Sequence, residues 1–241
     1  MVGFSIHQRA GDPGCLIPHL EQVRTRLGRL PKNIITDAAY GSEENYDYVE
    51  RNNLGNFVKY NTFHQDQQKP RKAEVLRKKL FQADHFPYDA TTDEFTCPAQ
   101  KRLTYQKTIR VKSDNGYVAE RREYECADCA DCPLRSECTK AKGNRRIRVS
   151  FRLQEFRRQA RENLTSPEGE ILRASRSTEV ESVFGQSKHN MGFRRFSLRG
   201  KQKVHTELGL HCIAHNMKKL STKQQARQAE MRQRMQKLAA G

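Results

Sequence analysis

Five of the seven cysteines of this 241-residue chain fall between residues 97 and 138. The run has the form Cys97-x28-Cys126-x2-Cys129-x2-Cys132-x5-Cys138. Thiols two residues apart, with further cysteines in the same small block, are typical of structural zinc sites that use four thiolate ligands. Because no secretory signal opens the sequence, the spacing indicates reduced thiols or metal ligands instead of disulfides. We therefore predict that this block folds around a structural Zn²⁺.

Four ligands are sufficient for tetrahedral zinc, so one of the five cysteines is spare. Two of them precede prolines, in Cys97-Pro98 and in Cys132-Pro133, which is typical of ligand-bearing turns. We expect Cys126 to be the spare thiol, which leaves as ligands Cys97, Cys129, Cys132 and Cys138. The alternatives are buried or free thiols and an iron–sulfur cluster, which also uses four cysteines. The surrounding block is polar, and we expect the metal to replace a hydrophobic core of its own.

The chain divides into four segments by pattern: residues 1–60, 61–150, 151–220 and 221–241. The first indicates an α/β unit with a parallel sheet, in which strands 2–6, 34–36 and 57–60 alternate with helices after residues 16 and 42. The second indicates a linker followed by short antiparallel strands that carry the cysteine block. The third is helical, and the last is a basic tail with the composition of a frayed helix or of disorder.

Charge points to the class of partner. Lysine and arginine number 45 against 28 acidic residues, which gives a net charge of +17 and a pI of about 9.8. Such a surface binds polyanions through phosphate contacts and counterion release, and nucleic acid is the leading candidate. No segment approaches the apolar length of a spanning helix, so we expect no membrane partner and an intracellular location.

Two acidic residues stand where metal-dependent chemistry on DNA would need them. Asp37 follows the apolar pair Ile34-Ile35, at the expected carboxyl end of a strand, where open α/β sheets place their active sites. Glu181 lies seven residues before Lys188, so that both would project from one face of an α-helix. Carboxylates brought together in this way can hold a pair of divalent metals, and Mg²⁺ suits the role.

Each of these features also has a plainer interpretation. Asp37 could cap a helix or turn, and Glu181 with Lys188 could form a surface ion pair. Glu179 competes with Glu181 for the metal, but it points about 200° around an α-helix from Glu181, so both cannot serve.

A basic segment follows Lys188. It contains Arg194, Arg195 and Arg199, interleaved with Phe193 and Phe196. Cations placed closely after an acidic site would position phosphates without reading base sequence. We therefore predict that Lys188 and these three arginines contact DNA.

Taken together and in order, these motifs resemble the DDE (Asp-Asp-Glu) insertion-sequence transposases of bacteria that carry a cysteine-bearing insertion. The matching segments are, in chain order, Asp37-Ala-Ala-Tyr-Gly-Ser-Glu-Glu-Asn45, Phe57-Val-Lys-Tyr-Asn61, Asp93-Glu-Phe-Thr-Cys-Pro98, Cys132-Pro-Leu-Arg-Ser-Glu-Cys138 and Glu179-Val-Glu-Ser-Val-Phe-Gly-Gln-Ser-Lys188. The resemblance implies a ribonuclease-H-like core, interrupted by a small β-rich, zinc-ribbon-like insertion. It also implies two-metal cleavage and joining of DNA, with Asp37 as the second acid, Glu181 as the third and Lys188 as a DNA-contacting cation.

One departure from the family pattern affects the expected activity. The first catalytic aspartate of the family lies on the strand before the one that here would begin at Val2. Asp12, in the turn Gly11-Asp-Pro-Gly14, is in the wrong context to replace it. The resemblance therefore implies a C-terminal part of a transposase with an incomplete core, inactive alone. Its expected partners are DNA together with further copies of itself or an upstream-encoded fragment, in the bacterial cytoplasm at the nucleoid.

The alternative function is a non-catalytic zinc- and DNA-binding protein, either a transposase remnant or a regulator of transposition. A ribosomal or RNA-binding zinc protein would fit the charge, but it would leave Asp37 and Glu181 unexplained.

Overall fold

The computed structural model describes residues 2–9, 11–68, 77 and 79–239, without the side chains of residues 177, 180–182, 184, 234 and 237–239. Its helices are α1 Leu16–Leu27, α2 Glu43–Arg51, α3 Phe63–Gln67, α4 Arg135–Cys138, α5 Phe151–Thr165, α6 Pro167–Gly185 and α7 Lys201–Ala239. Its strands are β1 Asn33–Thr36, β2 Gly55–Val58, β3 Tyr88–Asp89, β4 Glu94–Thr96, β5 Arg102–Lys112, β6 Val118–Cys126 and β7 Arg146–Val149. The chain is therefore mixed α/β, as predicted.

Two compact units divide the chain. The first comprises Met1–Ala10, Pro18–Leu30 and Leu172–Gly241, and the second comprises Gly11–Ile17 and Pro31–Ile171.

A β–α–β element opens the second unit. The apolar pair Ile34-Ile35 forms β1, which pairs in parallel with β2. Helix α2 connects the strands and starts at Ser42, whose Oγ accepts the Asn45 N–H at 3.3 Å. Ser42 thereby caps the helix predicted after residue 42, and it satisfies one of the four N–H groups that a helix start leaves unpaired. The predicted parallel pairing of these two strands is confirmed.

Helix α5 covers the same element. Its buried side chains are Phe156, Ala160 and Leu164, spaced four residues apart and so on one face. Tyr46 of α2 lies 5.8 Å from Phe156, ring centroid to ring centroid, and its hydroxyl donates to Val58 O at 3.2 Å. The two helices and the strand pair thus share one core.

The cysteine block belongs to a five-stranded antiparallel sheet of order β3-β4-β5-β6-β7. Contrary to the expectation that it is too polar to build a core, the block has a hydrophobic cluster. Its buried members are Phe86, Phe95, Cys97, Leu103, Tyr124, Cys126, Cys129, Ile147 and Val149. The apolar residues of these strands are not obvious in the sequence, because each strand contributes only every second residue to the inner face of the sheet. Three of the five clustered cysteines, Cys97, Cys126 and Cys129, are part of this core.

The tip of the β5–β6 hairpin packs on the first turn of α2. Glu44 accepts hydrogen bonds from Ser113 Oγ at 3.3 Å and Asn115 Nδ2 at 3.4 Å. The buried Glu43 accepts from Tyr117 Oη at 3.5 Å and from Ser150 Oγ at 2.8 Å. Two carboxylates that suit the helix dipole therefore also fix the hairpin to the β–α–β element.

The first unit is helical. Its buried side chains among the described residues include Leu20 of α1 together with Cys212 and His215 of α7. After Asn216 the described side chains of α7 are exposed. No helix among the described residues has the length and apolarity needed to cross a membrane.

The predicted strand over residues 2–6 is wrong. Residues 2–8 have no regular secondary structure. The Phe4 ring centroid lies 4.7 Å from that of the His205 ring of α7. The Arg26 guanidinium lies over the same Phe4 ring, 5.6 Å from its centroid. Side-chain packing on helices therefore orders this segment, which the apolar run alone could not reveal.

Gly41, between β1 and α2, allows a close backbone approach that the fold depends on. A Cβ at this position would lie 2.5 Å from Lys59 O and 2.8 Å from Tyr60 Cα. We expect Gly41→Ala to lower the free energy of unfolding by about 1–3 kcal/mol, because backbone atoms must move. Gly143→Ala is the control, since nothing lies within 4 Å of its added Cβ. Equal melting temperatures for the two variants would contradict this prediction.

Candidate functional site

Asp37 stands directly after β1, at the carboxyl end of the parallel strand pair. It occupies the residue before the short 3₁₀ helix Ala38–Tyr40, with an extended backbone (φ −72°, ψ 167°), and it is exposed. Its carboxylate forms no capping hydrogen bond to that helix. Asp37 thus holds the N-cap position without a side-chain cap, at an edge of the sheet where ligands bind in open α/β folds.

The second predicted acid lies on another part of the chain. Glu181 is within α6, but its side chain is outside the described residues. Glu179, its competitor on the same helix, is exposed. Asp37 belongs to the second unit and Glu181 to the first. The pairing of these carboxylates around metal therefore stays a prediction.

Helix α6 does not continue as an α-helix to Lys188. Residues Gln186–Asn190 form a π-helical turn, in which Lys188 is exposed. A π turn holds more residues than the 3.6 of an α-helix. The α-helical spacing that predicted a common face for Glu181 and Lys188 therefore does not extend to Lys188. Such turns occur frequently at functional sites.

The predicted arginines lie on residues 191–200, which we call the arginine loop. Arg194, Arg195 and Arg199 are all exposed. Glycines with left-handed backbone angles bound it, Gly192 at φ 67° and Gly200 at φ 87°. Among the residues with described side chains, no carboxylate lies within ion-pair distance of these three arginines or of Lys188.

Helix α7 holds the arginine loop in place. The Glu207 carboxylate accepts the backbone N–H groups of Ser197 at 2.8 Å and Leu198 at 2.9 Å. The Phe193 ring stacks on His211, with centroids 4.2 Å apart and planes 19° apart. Because both anchors lie on one helix, the loop has a defined backbone before any ligand arrives.

The arginines of the second unit behave differently. Many pair with carboxylates, including Arg148 with Glu123 at 2.8 Å and Arg161 with Asp66 at 3.1 Å. Arg158 is held by two acids of its own helix. These pairs neutralise charge locally, whereas the three arginines of the arginine loop have no acidic partner among the described side chains.

The five clustered thiols line one small cavity of about 20 Å³. Cys126 at the end of β6 is buried, and its thiol donates to Asp128 O at 3.6 Å. Burial, together with a side-chain hydrogen bond to Cys129, raises the pKa of Cys126 to about 11. Burial likewise raises the pKa of Cys138. The structure thus brings together the cysteines that the sequence singled out.

A frame of hydrogen bonds surrounds this cavity. The Arg135 guanidinium donates to four carbonyl groups, those of Cys129, Ala141, Lys142 and Gly143. The Arg145 N–H donates to Cys129 Sγ at 3.4 Å. Asn144 accepts the Cys129 N–H at 3.0 Å. No cluster of three or more histidine, cysteine or acidic side chains within the described part of the chain has a geometry that could hold a metal.

Sequence reasoning missed the residues that position the site. Glu207, His211 and Arg135 had no assigned role, because their partners are backbone groups or rings brought close only by folding. A glutamate that binds two backbone N–H groups has no signature in the sequence. For Arg135, its place between Cys132 and Cys138 was a usable signal.

A family model described as "Transposase DDE domain" matches residues 96–221, which is more than half of the chain. The match includes all five clustered cysteines, Glu181, Lys188 and the arginine loop, and it begins after Asp37. No curated protein and no solved structure matches the chain.

We expect Glu207 to order the arginine loop only while it is ionised. The Ser197 and Leu198 N–H groups lower the pKa of its carboxyl, so its contribution is present above the ordinary value of 4.5 and is lost as the pH falls through the lowered value. At pH 7, Glu207→Ala should speed hydrogen exchange of both amides several-fold. Glu230→Ala, an exposed change on the same helix, is the control. Unchanged exchange in Glu207→Ala would contradict this role.

Proposed function

The chain belongs to the transposase DDE domain family, and we propose that it acts in DNA transposition with Asp37 and Glu181 as metal-binding carboxylates. Family membership implies DNA as a partner and a divalent metal, typically Mg²⁺, as the cofactor. The observation that carries the proposal is the matched segment, which holds Glu181, Lys188 and the arginine loop within one stretch of chain. The position of Asp37 at the carboxyl end of β1 supports its role as the partner acid.

The residues divide the chemistry between them. Asp37 and Glu181 are carboxylates of the kind that bind Mg²⁺ through one or two oxygens. Bound Mg²⁺ would activate the attacking oxygen and stabilise the leaving one in phosphoryl transfer. Lys188 and the exposed arginines would hold the phosphate backbone in line and carry no base readout.

We also propose that the core is ribonuclease-H-like and that none of these 241 residues supplies the first catalytic aspartate of the family. The parallel pairing of β1 and β2, with α2 between them, supports the first point. Two acids precede Asp37, and neither lies on a strand: Asp12 precedes a 3₁₀ helix, and Glu21 lies on α1. The lack of a strand-borne acid before Asp37 among the described residues also favours the second candidate function, a DNA-binding protein without catalysis.

The isolated chain should bind duplex DNA and leave it uncut. We expect an affinity that falls steeply with salt, because binding releases counterions. Strand cleavage in Mg²⁺ or Mn²⁺ should be absent, because two of the three acids do not complete the site. Gel-shift and nicking assays on one duplex measure both.

Robust cleavage that Glu181→Gln abolishes would show that the chain completes its own site. Glu179→Gln is the matched control on the same helix. A chain that binds no DNA at any salt concentration would contradict the proposed function itself.

We propose further that four cysteines bind a structural Zn²⁺: Cys97, Cys129, Cys132 and Cys138. Four thiolates are the donor set of structural zinc. The shared cavity and the Arg145 N–H bond to Cys129 Sγ support this set, and the thiol of Cys126 already donates to a carbonyl. Because the side chains do not form a ligating group as they stand, binding would draw the sulfurs inward.

We expect the purified chain to retain Zn²⁺ and to lose it in Cys132→Ser. Cys126→Ser and Cys15→Ser should retain it. Replacing zinc by Co²⁺ gives thiolate-to-cobalt absorption that reports the ligands directly, and metal removal should lower the melting temperature. Stoichiometric metal in Cys132→Ser, or none in the unaltered chain, would contradict the assignment.

A further inference from the structure

We propose that the arginine loop binds DNA with unpaired bases, by stacking a base on the exposed ring of Phe196. This inference rests on the proposed function, since it names the form of DNA that the loop prefers. The cations of the loop would hold the backbone of the strand while the ring contacts the base. Stacking and charge together are the usual chemistry of single-strand binding.

The arginine loop exposes two large apolar side chains to solvent. Phe196 is 44% exposed and Leu198 is 45% exposed. Phe196 follows directly on Arg194 and Arg195, and Arg199 follows directly on Leu198. Single exposed apolar residues are ordinary on protein surfaces. Two of them among three unpaired arginines within six residues form a mixed surface suited to a ligand with both phosphates and aromatic faces.

The ring of Phe196 is held in a fixed position. It packs nearly perpendicular to the Phe193 ring, with centroids 5.4 Å apart and planes 83° apart. Phe193 in turn stacks on His211, and Glu207 fixes the N–H of the residue after Phe196. Because the two rings are nearly perpendicular, at least one face of the Phe196 ring is clear of Phe193. A base that stacks there meets a surface that loses little conformational freedom on binding.

Duplex DNA cannot use this ring fully, because the faces of paired bases are covered by their neighbours in the stack. A base becomes available when a strand is single, frayed or opened near a cut. Stacking on an aromatic side chain tolerates any base, since every base has a π face. The loop would therefore select the opened state of DNA and not its sequence.

The test compares a single-stranded (dT) oligonucleotide with a duplex of equal length by fluorescence anisotropy over a range of salt concentrations. We expect Phe196→Ala to weaken single-strand binding by about 10-fold and to change duplex binding by less than about 2-fold. The salt slope should be unchanged, since no phosphate contact is lost. The double variant Arg194→Gln, Arg195→Gln should weaken both DNAs and reduce the slope by about 2.

Further variants separate stacking from packing. Phe196→Leu keeps an apolar side chain against Phe193 but has no π face, so it should behave as Phe196→Ala does. Phe196→Trp should restore or exceed the original single-strand affinity. Leu220→Ala removes an exposed apolar side chain elsewhere on α7 and should leave both affinities unchanged.

The outcomes distinguish this inference from the function on which it rests. Equal losses on both DNAs in Phe196→Ala would mean that the ring shapes the loop, and they would overturn the stacking role. Full single-strand affinity in Phe196→Ala and Phe196→Leu would overturn it as well, while the duplex binding of the proposed function stands. A chain that binds neither DNA would contradict both.

Discussion

The second unit depends on the buried carboxylate of Glu43. It lies in the first turn of α2, where the helix dipole favours a negative charge. It accepts a hydrogen bond from Ser150, the residue that caps α5, and another from Tyr117 at the base of the β5–β6 turn. One side chain therefore connects the α/β element, the antiparallel sheet and the helix that covers both. Without its partners a buried carboxylate would be costly, so its hydrogen bonds stabilise the contact among these three elements.

This connection explains how the chain accommodates a cysteine-bearing sheet between two parts of an α/β element. The sheet does not stand apart as a module that metal alone would hold. It shares Phe151 with the start of α5, since that ring packs against the same cluster as Cys97 and Cys126. Bound zinc would then add rigidity to a core that apolar side chains already form.

Local patterns predicted the elements that local chemistry determines. The apolar pair Ile34-Ile35, the Ser42 cap and the alternation in β5 and β6 were sufficient to predict strands, a helix start and a hairpin. The prediction over residues 2–6 failed because an apolar run does not specify whether its partner is a strand or a helix face. The cavity that gathers the thiols could be predicted from their spacing. Its frame could not, because Arg135 and Asn144 act on backbone carbonyls and amides that only the fold brings near.

The distribution of charge also follows from folding more than from composition. The net charge of +17 indicated a polyanion but could not identify the cations that meet it. Carboxylates of the second unit pair with many of its arginines. The Glu207 carboxylate instead accepts backbone N–H groups, and among the described side chains it forms no ion pair with the neighbouring arginines. The residue that anchors the arginine loop is therefore itself acidic. A count of charges alone would have treated Glu207 as unfavourable for DNA binding.

Helix α7 has a mechanical consequence of its own. At 1.5 Å per residue its 39 residues extend about 58 Å, and its described side chains beyond Asn216 touch solvent. Glutamine, arginine, lysine, alanine and methionine dominate that stretch, and all are strong helix formers. A flexible segment of about 20 residues would have a root-mean-square span of about 25 Å with a wide spread. A helical segment of the same length has a nearly constant reach of about 30 Å.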